Sequence, residues 1–161
     1  MSFVPTGHHM EHGLSDENRQ RYARHLVLPS VGEEGQIKLL KSSVLVVGAG
    51  GLGSPAMMYL AAAGVGRIGI IDDDFVEESN LQRQIIHSTS SIGDAKAKSA
   101  AERICLLNPG IDVTPMVERL TESNALSVIK DYDIVIDGTD NFASRYLIGD
   151  VCEILGKTWI F

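Results

Sequence analysis

A chain of 161 residues with 44% hydrophobic and 22% charged residues has the length of one globular domain and enough apolar content to build a core. Its formal charge of -7 excludes a partner held mainly through phosphate contacts, such as nucleic acid, because those contacts need clustered Lys and Arg. A polar start without a signal-peptide core, no membrane-length apolar run, and two cysteines, Cys105 and Cys152, 47 positions apart without a CxxC, predict a cytoplasmic protein with neither disulfides nor zinc in this chain.

Residues 1–13 carry Pro5, Gly7, Gly13 and the histidines His8, His9 and His12 without hydrophobic periodicity, and read as a flexible arm whose histidines are solvated rather than metal-bound. Ser15 and Asn18 open a capped helix predicted over residues 19–28, ended by Pro29, and a second short helix follows over residues 34–41. Val44, Leu45, Val46 and Val47 form a continuous aliphatic run of the kind buried on both faces of a parallel sheet. A helix over residues 52–63 closes at Gly64, and a second strand over residues 68–71 runs into three aspartates. Then come a helix over residues 95–107, a strand over 113–116, a helix over 123–130, a strand over 134–136, and a helix opened by Asn141 or a neighbour and ending at Leu155. Strands alternating with helices predict an α/β fold, a Rossmann-like doubly wound parallel sheet with helices on both faces, preceded by two short N-terminal helices. Thr158, Trp159, Ile160 and Phe161 read as a strand with no turn after it, so the chain is expected to be the front half of a longer, truncated protein.

Chemistry concentrates where strands end. Gly48-Ala49-Gly50-Gly51-Leu52-Gly53 lies between the first strand and its helix, where glycines permit a tight turn and backbone N–H groups can meet phosphate oxygens. Asp72, 19 residues past Gly53 at the end of the second strand, has the place of a ribose-binding carboxylate. Ser79-Asn80-Leu81-Gln82-Arg83-Gln84 is followed by Lys96, 13 residues after Arg83, and two cations there suit a phosphorus that gains negative charge during group transfer. Asp137-Gly138-Thr139-Asp140-Asn141 closes the fourth strand at the same edge, with Asp140 chosen as the Mg²⁺ ligand and Asp137 as support, a choice between the two that the sequence leaves open.

These blocks, with Arg21-Tyr22-Ala23-Arg24-His25, Ala63-Gly64-Val65-Gly66, Gly93 and Asn108-Pro109, resemble the MoeB/ThiF branch of the ubiquitin-activating-enzyme-like family over residues 21–141. The resemblance implies an adenylyltransferase in which the C-terminal Gly-Gly carboxylate of a small ubiquitin-like or sulfur-carrier protein attacks the α-phosphorus of ATP, giving an acyl-adenylate and pyrophosphate. It implies a nucleotide site of Gly48, Gly50, Gly51, Gly53, Asp72, Asp74, Ser79, Asn80, Leu81, Gln82, Arg83, Lys96, Asp140 and Asn141 within an ATP-binding domain of residues 14–161. Arg83 and Lys96 would be catalytic, and Arg24 would complete the site of a homodimer partner in trans. The carrier groove and the CxxC pairs that hold Zn²⁺ in full-length relatives belong to a C-terminal half not seen in this sequence, so the 161-residue chain alone is expected to bind nucleotide without turnover. Cys105 and Cys152, set among apolar helix neighbours, are expected to be core thiols. Two other readings use the same loop and Asp72: an NAD-dependent oxidoreductase, and a non-catalytic nucleotide-binding module.

Overall fold

The computed structural model describes residues 13–161, so the N-terminal arm with His8, His9 and His12 lies outside the described residues. Two compact units divide the chain, one ending at Lys38 and one covering Leu39–Phe161.

In the first unit, Ser15 Oγ accepts the Asn18 amide at the start of α1 (Asp16–Arg21), with acidic residues in its first turn and basic ones in its last, as the helix dipole favours. The single helix expected over residues 19–28 is in fact two, because Tyr22 leaves helical geometry (φ -102°, ψ 18°) before α2 (Ala23–Leu26) begins. Tyr22 is buried and its ring stacks on His25 at 6.1 Å, while its amide still donates to Asn18 O at 2.9 Å and its carbonyl accepts from Leu26 N–H at 3.1 Å, so the helices meet at a bend. With α3 (Gly32–Lys41), three short helices rather than two precede the sheet. Glu33 ties α3 to α1, accepting from the Leu14 amide at 3.3 Å and from Arg19 at 2.5 Å. Those bonds, the Leu14 amide first, hold its carboxyl below the ordinary range.

The second unit is a five-stranded, wholly parallel sheet in the order β3-β2-β1-β4-β5. The strands are β1 (Ser43–Val47), β2 (Arg67–Ile71), β3 (Asp112–Met116), β4 (Ile134–Asp137) and β5 (Thr158–Ile160). Every residue of β1 is buried. Val44 and Val46 face a core shared with α4 (Gly53–Ala63) and α5 (Lys96–Leu107), while Leu45 and Val47 face a second core with α6 (Ala125–Ile129) and α7 (Phe142–Leu155). That division is why the strand reads as an unbroken aliphatic run: each of its side chains has a helix to meet, and each such burial is worth roughly 1.5–3 kcal/mol.

Helix ends follow local chemistry. Pro55 stands in the first turn of α4, where its missing N–H would have had no intrahelical partner. Gly64 and Gly156 close α4 and α7 in left-handed geometry, and Asn141 Oδ1 caps α7 by accepting the Ser144 amide at 2.9 Å. Cys105 corrects the expectation of two core thiols: Ile104 turns into the core, so its neighbour one helical step on is exposed, and only Cys152 is buried. Partial desolvation of its sulfur by the helix and the nearby Glu102 carboxylate push the Cys105 thiol up, away from nucleophilic character.

Candidate nucleotide site

The order of strands makes β1 and β4 neighbours whose following helices leave toward opposite faces. A crevice must open above such a pair, at the carboxyl edge where open α/β sheets bind ligands. There the structure has a cavity of about 520 Å³, lined by the loops that follow β1, β2, β3 and β4, the Arg83 region and the start of α5.

The glycine loop forms its floor. Gly48 adopts φ 94° and its amide donates to Ile71 O at 2.9 Å, a geometry that side-chain-bearing residues rarely take. Gly53 begins α4 directly against the Gly48 carbonyl, and a Cβ added there would collide with that oxygen. Gly48, Gly50 and Gly51 line the cavity, whereas Gly53 is buried beneath it.

Asp72 takes the Ala49 amide on one carboxylate oxygen at 2.7 Å and the Asp74 amide on the other at 2.8 Å, so it fastens the glycine loop to the end of β2 while lining the cavity. Asp74 in turn pairs with Lys96 (Oδ2 to Nζ, 2.9 Å), and its carbonyl accepts the Lys96 amide at 2.9 Å. Lys96 is nearly buried at the first position of α5, where the amide end of the helix adds partial positive charge to its own. The aliphatic stem of Arg83 lies over Gly51, and Arg83 Nη2 donates to Asn80 Oδ1 at 3.0 Å. Asn80 donates to Glu77 at 3.2 Å and lines a smaller adjoining hollow with Asp73, Asp74, Phe75, Glu77 and Lys96.

Across the crevice, Asp137 is fully buried. It accepts from the Thr139 amide (2.8 Å), the Thr139 hydroxyl (2.6 Å) and Arg145 Nε (3.3 Å). Its oxygens are committed to shaping the turn after β4. Asp140 is exposed on the cavity wall and makes no hydrogen bond or ion pair among the described residues. Asn141 lines the cavity while its side-chain oxygen caps α7.

The structure therefore gathers Gly48, Gly50, Gly51, Asp72, Asp74, Arg83, Lys96, Asp140 and Asn141 around one cavity. Ser79, Leu81 and Gln82 are not among its lining residues; they form the turn that carries Asn80 and Arg83. Arg24 is exposed on α2, in the first unit.

Three contributions escaped the sequence. Glu118, Arg119 and Leu120, past the end of β3, line the cavity, and Arg119 adds a third cation. Gln84 is buried on the cavity wall with its side-chain oxygen unpartnered. His87, also buried, joins the glycine loop to α5: Nε2 lies 2.9 Å from Ala49 O and Nδ1 2.9 Å from Ser99 Oγ. Only the apolar flank Ile85-Ile86 hinted that a histidine there would be drawn inward.

Comparison with known proteins agrees with this geometry. The ThiF family model matches residues 22–161. The chain is 57% identical over 152 residues to the adenylyltransferase and sulfurtransferase MOCS3 of Arabidopsis thaliana, covering 94% of this chain and 33% of that protein. It is 49% identical over 145 residues to the sulfur carrier protein adenylyltransferase of Thermus thermophilus, covering 90% and 54% respectively. Among solved structures, E. coli tRNA N6-threonylcarbamoyladenosine dehydratase TcdA in complex with ATP superimposes with a TM-score of 0.85 at 34% identity, over 90% of this chain and 59% of that one. The chain thus spans about a third to a half of the length of these curated relatives. With the family model matching nearly all of its described residues, the chain belongs to the ThiF family.

Proposed function

We propose that this chain carries the ATP-binding part of an adenylyltransferase that activates the C-terminal carboxylate of a ubiquitin-like or sulfur-carrier protein. The observation that carries the reading is the placing of Lys96 and Arg83 beside the glycine loop in one cavity. In the reaction, a carboxylate oxygen forms a bond to the α-phosphorus of ATP as the bond from that phosphorus to the pyrophosphate oxygen breaks. Loop amides such as Gly50 N–H would hold phosphate oxygens, Asp72 would accept from a ribose hydroxyl with its remaining lone pairs, and the two cations would face the charge that grows at phosphorus. The unpartnered Gln84 oxygen offers an acceptor to the nucleotide, and Leu120 an apolar surface for a base. The relatives named as adenylyltransferases and the ATP-bound TcdA support this over a nicotinamide site.

A divalent cation fits the wall. The cavity has five carboxylates (Asp72, Asp73, Asp74, Glu118, Asp140) against three cations (Arg83, Lys96, Arg119), an excess that opposes a polyphosphate entering by itself. Mg²⁺ bound with the nucleotide would neutralise phosphate charge; Asp73 and Asp140 are the exposed, uncommitted carboxylates of this cavity, and Asp140, on the turn after β4, is the one we take to hold it. Asp140→Asn is then expected to raise the Mg²⁺ concentration needed for ATP binding several-fold, read by titrating Mg²⁺ at fixed ATP. Unchanged Mg²⁺ dependence would move the ligand elsewhere.

Arg24 would act across a homodimer in the partner's site. A cytoplasmic setting agrees with free cysteines, and no helix among the described residues is long and apolar enough to cross a membrane. Calorimetric titration with MgATP and with NAD⁺ tests the ligand: MgATP is expected to bind and NAD⁺ to bind far more weakly, and the reverse order would replace this reading with the oxidoreductase one.

A further inference from the structure

Ala49 sits between two glycines, in a stretch of backbone where a peptide plane can flip at little steric cost. Which way the Ala49–Gly50 peptide faces decides what the cavity offers a ligand. In a trans peptide the carbonyl and the N–H point in opposite directions. With the Ala49 carbonyl turned toward His87, the Gly50 N–H points the other way, and Gly50 lines the cavity. A flipped peptide would present a carbonyl oxygen to an anion instead.

His87 has the geometry to set this choice. A carbonyl oxygen only accepts, so Nε2 must carry the hydrogen that meets Ala49 O, and Nδ1 is left to accept from the Ser99 hydroxyl. Burial holds the imidazole below its ordinary range, which favours the neutral ring, with Lys96 pressing the same way; the Ala49 carbonyl and Asp72 act in the opposite sense. Ser99 lies on α5, the helix that begins with Lys96. One ring therefore references the glycine loop to the helix bearing the buried cation, and the Asp72 carboxylate fixes the other side of the same residue through the Ala49 N–H.

We propose that His87 is a positioning residue for phosphate: it holds the Ala49–Gly50 peptide in the orientation that turns the Gly50 N–H toward a nucleotide phosphate, without touching the nucleotide itself. The proposal rests on the nucleotide reading for its ligand alone; the peptide orientation is a property of the ligand-free protein.

Three variants test it, His87→Leu, His87→Gln and Ser99→Ala. A glutamine side-chain amide can donate to Ala49 O as Nε2 does, and leucine cannot. His87→Leu is expected to weaken MgATP binding about tenfold, the value of one hydrogen bond to a charged group, and to leave adenosine binding unchanged because adenosine has no phosphate. His87→Gln is expected to restore most of the loss, and Ser99→Ala, which frees only the far side of the ring, to fall between. Without ligand, the Gly50 amide resonance should shift and broaden in His87→Leu and remain near its wild-type position in His87→Gln. Equal weakening of ATP and adenosine would reduce His87 to a structural role, and an unchanged Gly50 resonance in His87→Leu would overturn the proposal. If His87→Leu does not fold, the glutamine and Ser99→Ala variants decide by the same two readouts. Failure of the wild-type protein to bind MgATP would sink the functional reading, while the Gly50 resonance would still decide the orientation.

Discussion

Removing Arg83 or Lys96 is expected to depress adenylate formation by roughly 10²–10³-fold, or about 3 kcal/mol each, the scale of losing one preorganised group that faces developing charge. ATP affinity should fall much less, because the triphosphate is already charged and solvated before reaction, whereas the added charge at phosphorus exists only on the way to the adenylate. The two sites ask for different substitutions. Arg83 is exposed, and its removal to alanine leaves Asn80 with Gln84 as a second donor at 3.4 Å. Lys96 is buried, so Lys96→Met keeps the volume while deleting the charge; the Asp74 carboxylate it leaves behind is largely exposed and can be solvated. Carrier-dependent pyrophosphate exchange, run on a full-length protein that includes the carrier-binding half, measures the effect. Wild-type exchange in both variants would remove the two cations from the chemistry.

Gly53→Ala is the second change with a large expected effect, and it works through one methyl group. The added Cβ would meet the Gly48 carbonyl, which is backbone and cannot swing aside. Either α4 retreats from β1 or the glycine loop shifts. Overpacking of this kind costs roughly 1–3 kcal/mol of stability, and misplacing a loop amide by the same movement should weaken MgATP at least about tenfold. Chemical denaturation and calorimetry on one preparation would show both. A variant with wild-type stability and affinity would mean that the loop yields more readily than its packing suggests.

How much of this was legible in the sequence depends on whether a residue's role is local. β1 was readable because burial on both faces leaves a run of aliphatic side chains, and the ends of α4 and α7 were readable because Gly64 and Asn141 act within a turn of themselves. The break at Tyr22 was not, since nothing in residues 19–28 opposes a helix; the bend falls where the Tyr22 ring is buried, and that burial is set by the fold. The glycine loop, Asp72, Arg83, Lys96 and Asp140 announced themselves by spacing, whereas His87 meets a carbonyl 38 residues away and Glu118, Arg119 and Leu120 reach the cavity only because β3 lies beside β2. Spacing also could not separate the two carboxylates after β4. Their difference lies in Thr139 and Arg145, which saturate Asp137 and leave Asp140 uncommitted.

The central position of β1 has a consequence for how the chain reaches its native state. β1 is made early and finds β2 within two dozen residues, but its other edge pairs with β4, with Ser43 bound to Asp133 across a separation of 90 positions. During synthesis at roughly 5–20 residues per second, that edge stays bare for about 5–18 s. In this interval the nascent chain shows one complete face of hydrogen-bonding groups to whatever is nearby, including another copy of itself. The closing of the β1–β4 seam, which also forms the crevice, is a late, long-range event with the slow kinetics of high contact order. The ribosome thus completes the glycine loop well before the wall that will face it, and the nucleotide site cannot form until β4 and the turn after it have been made.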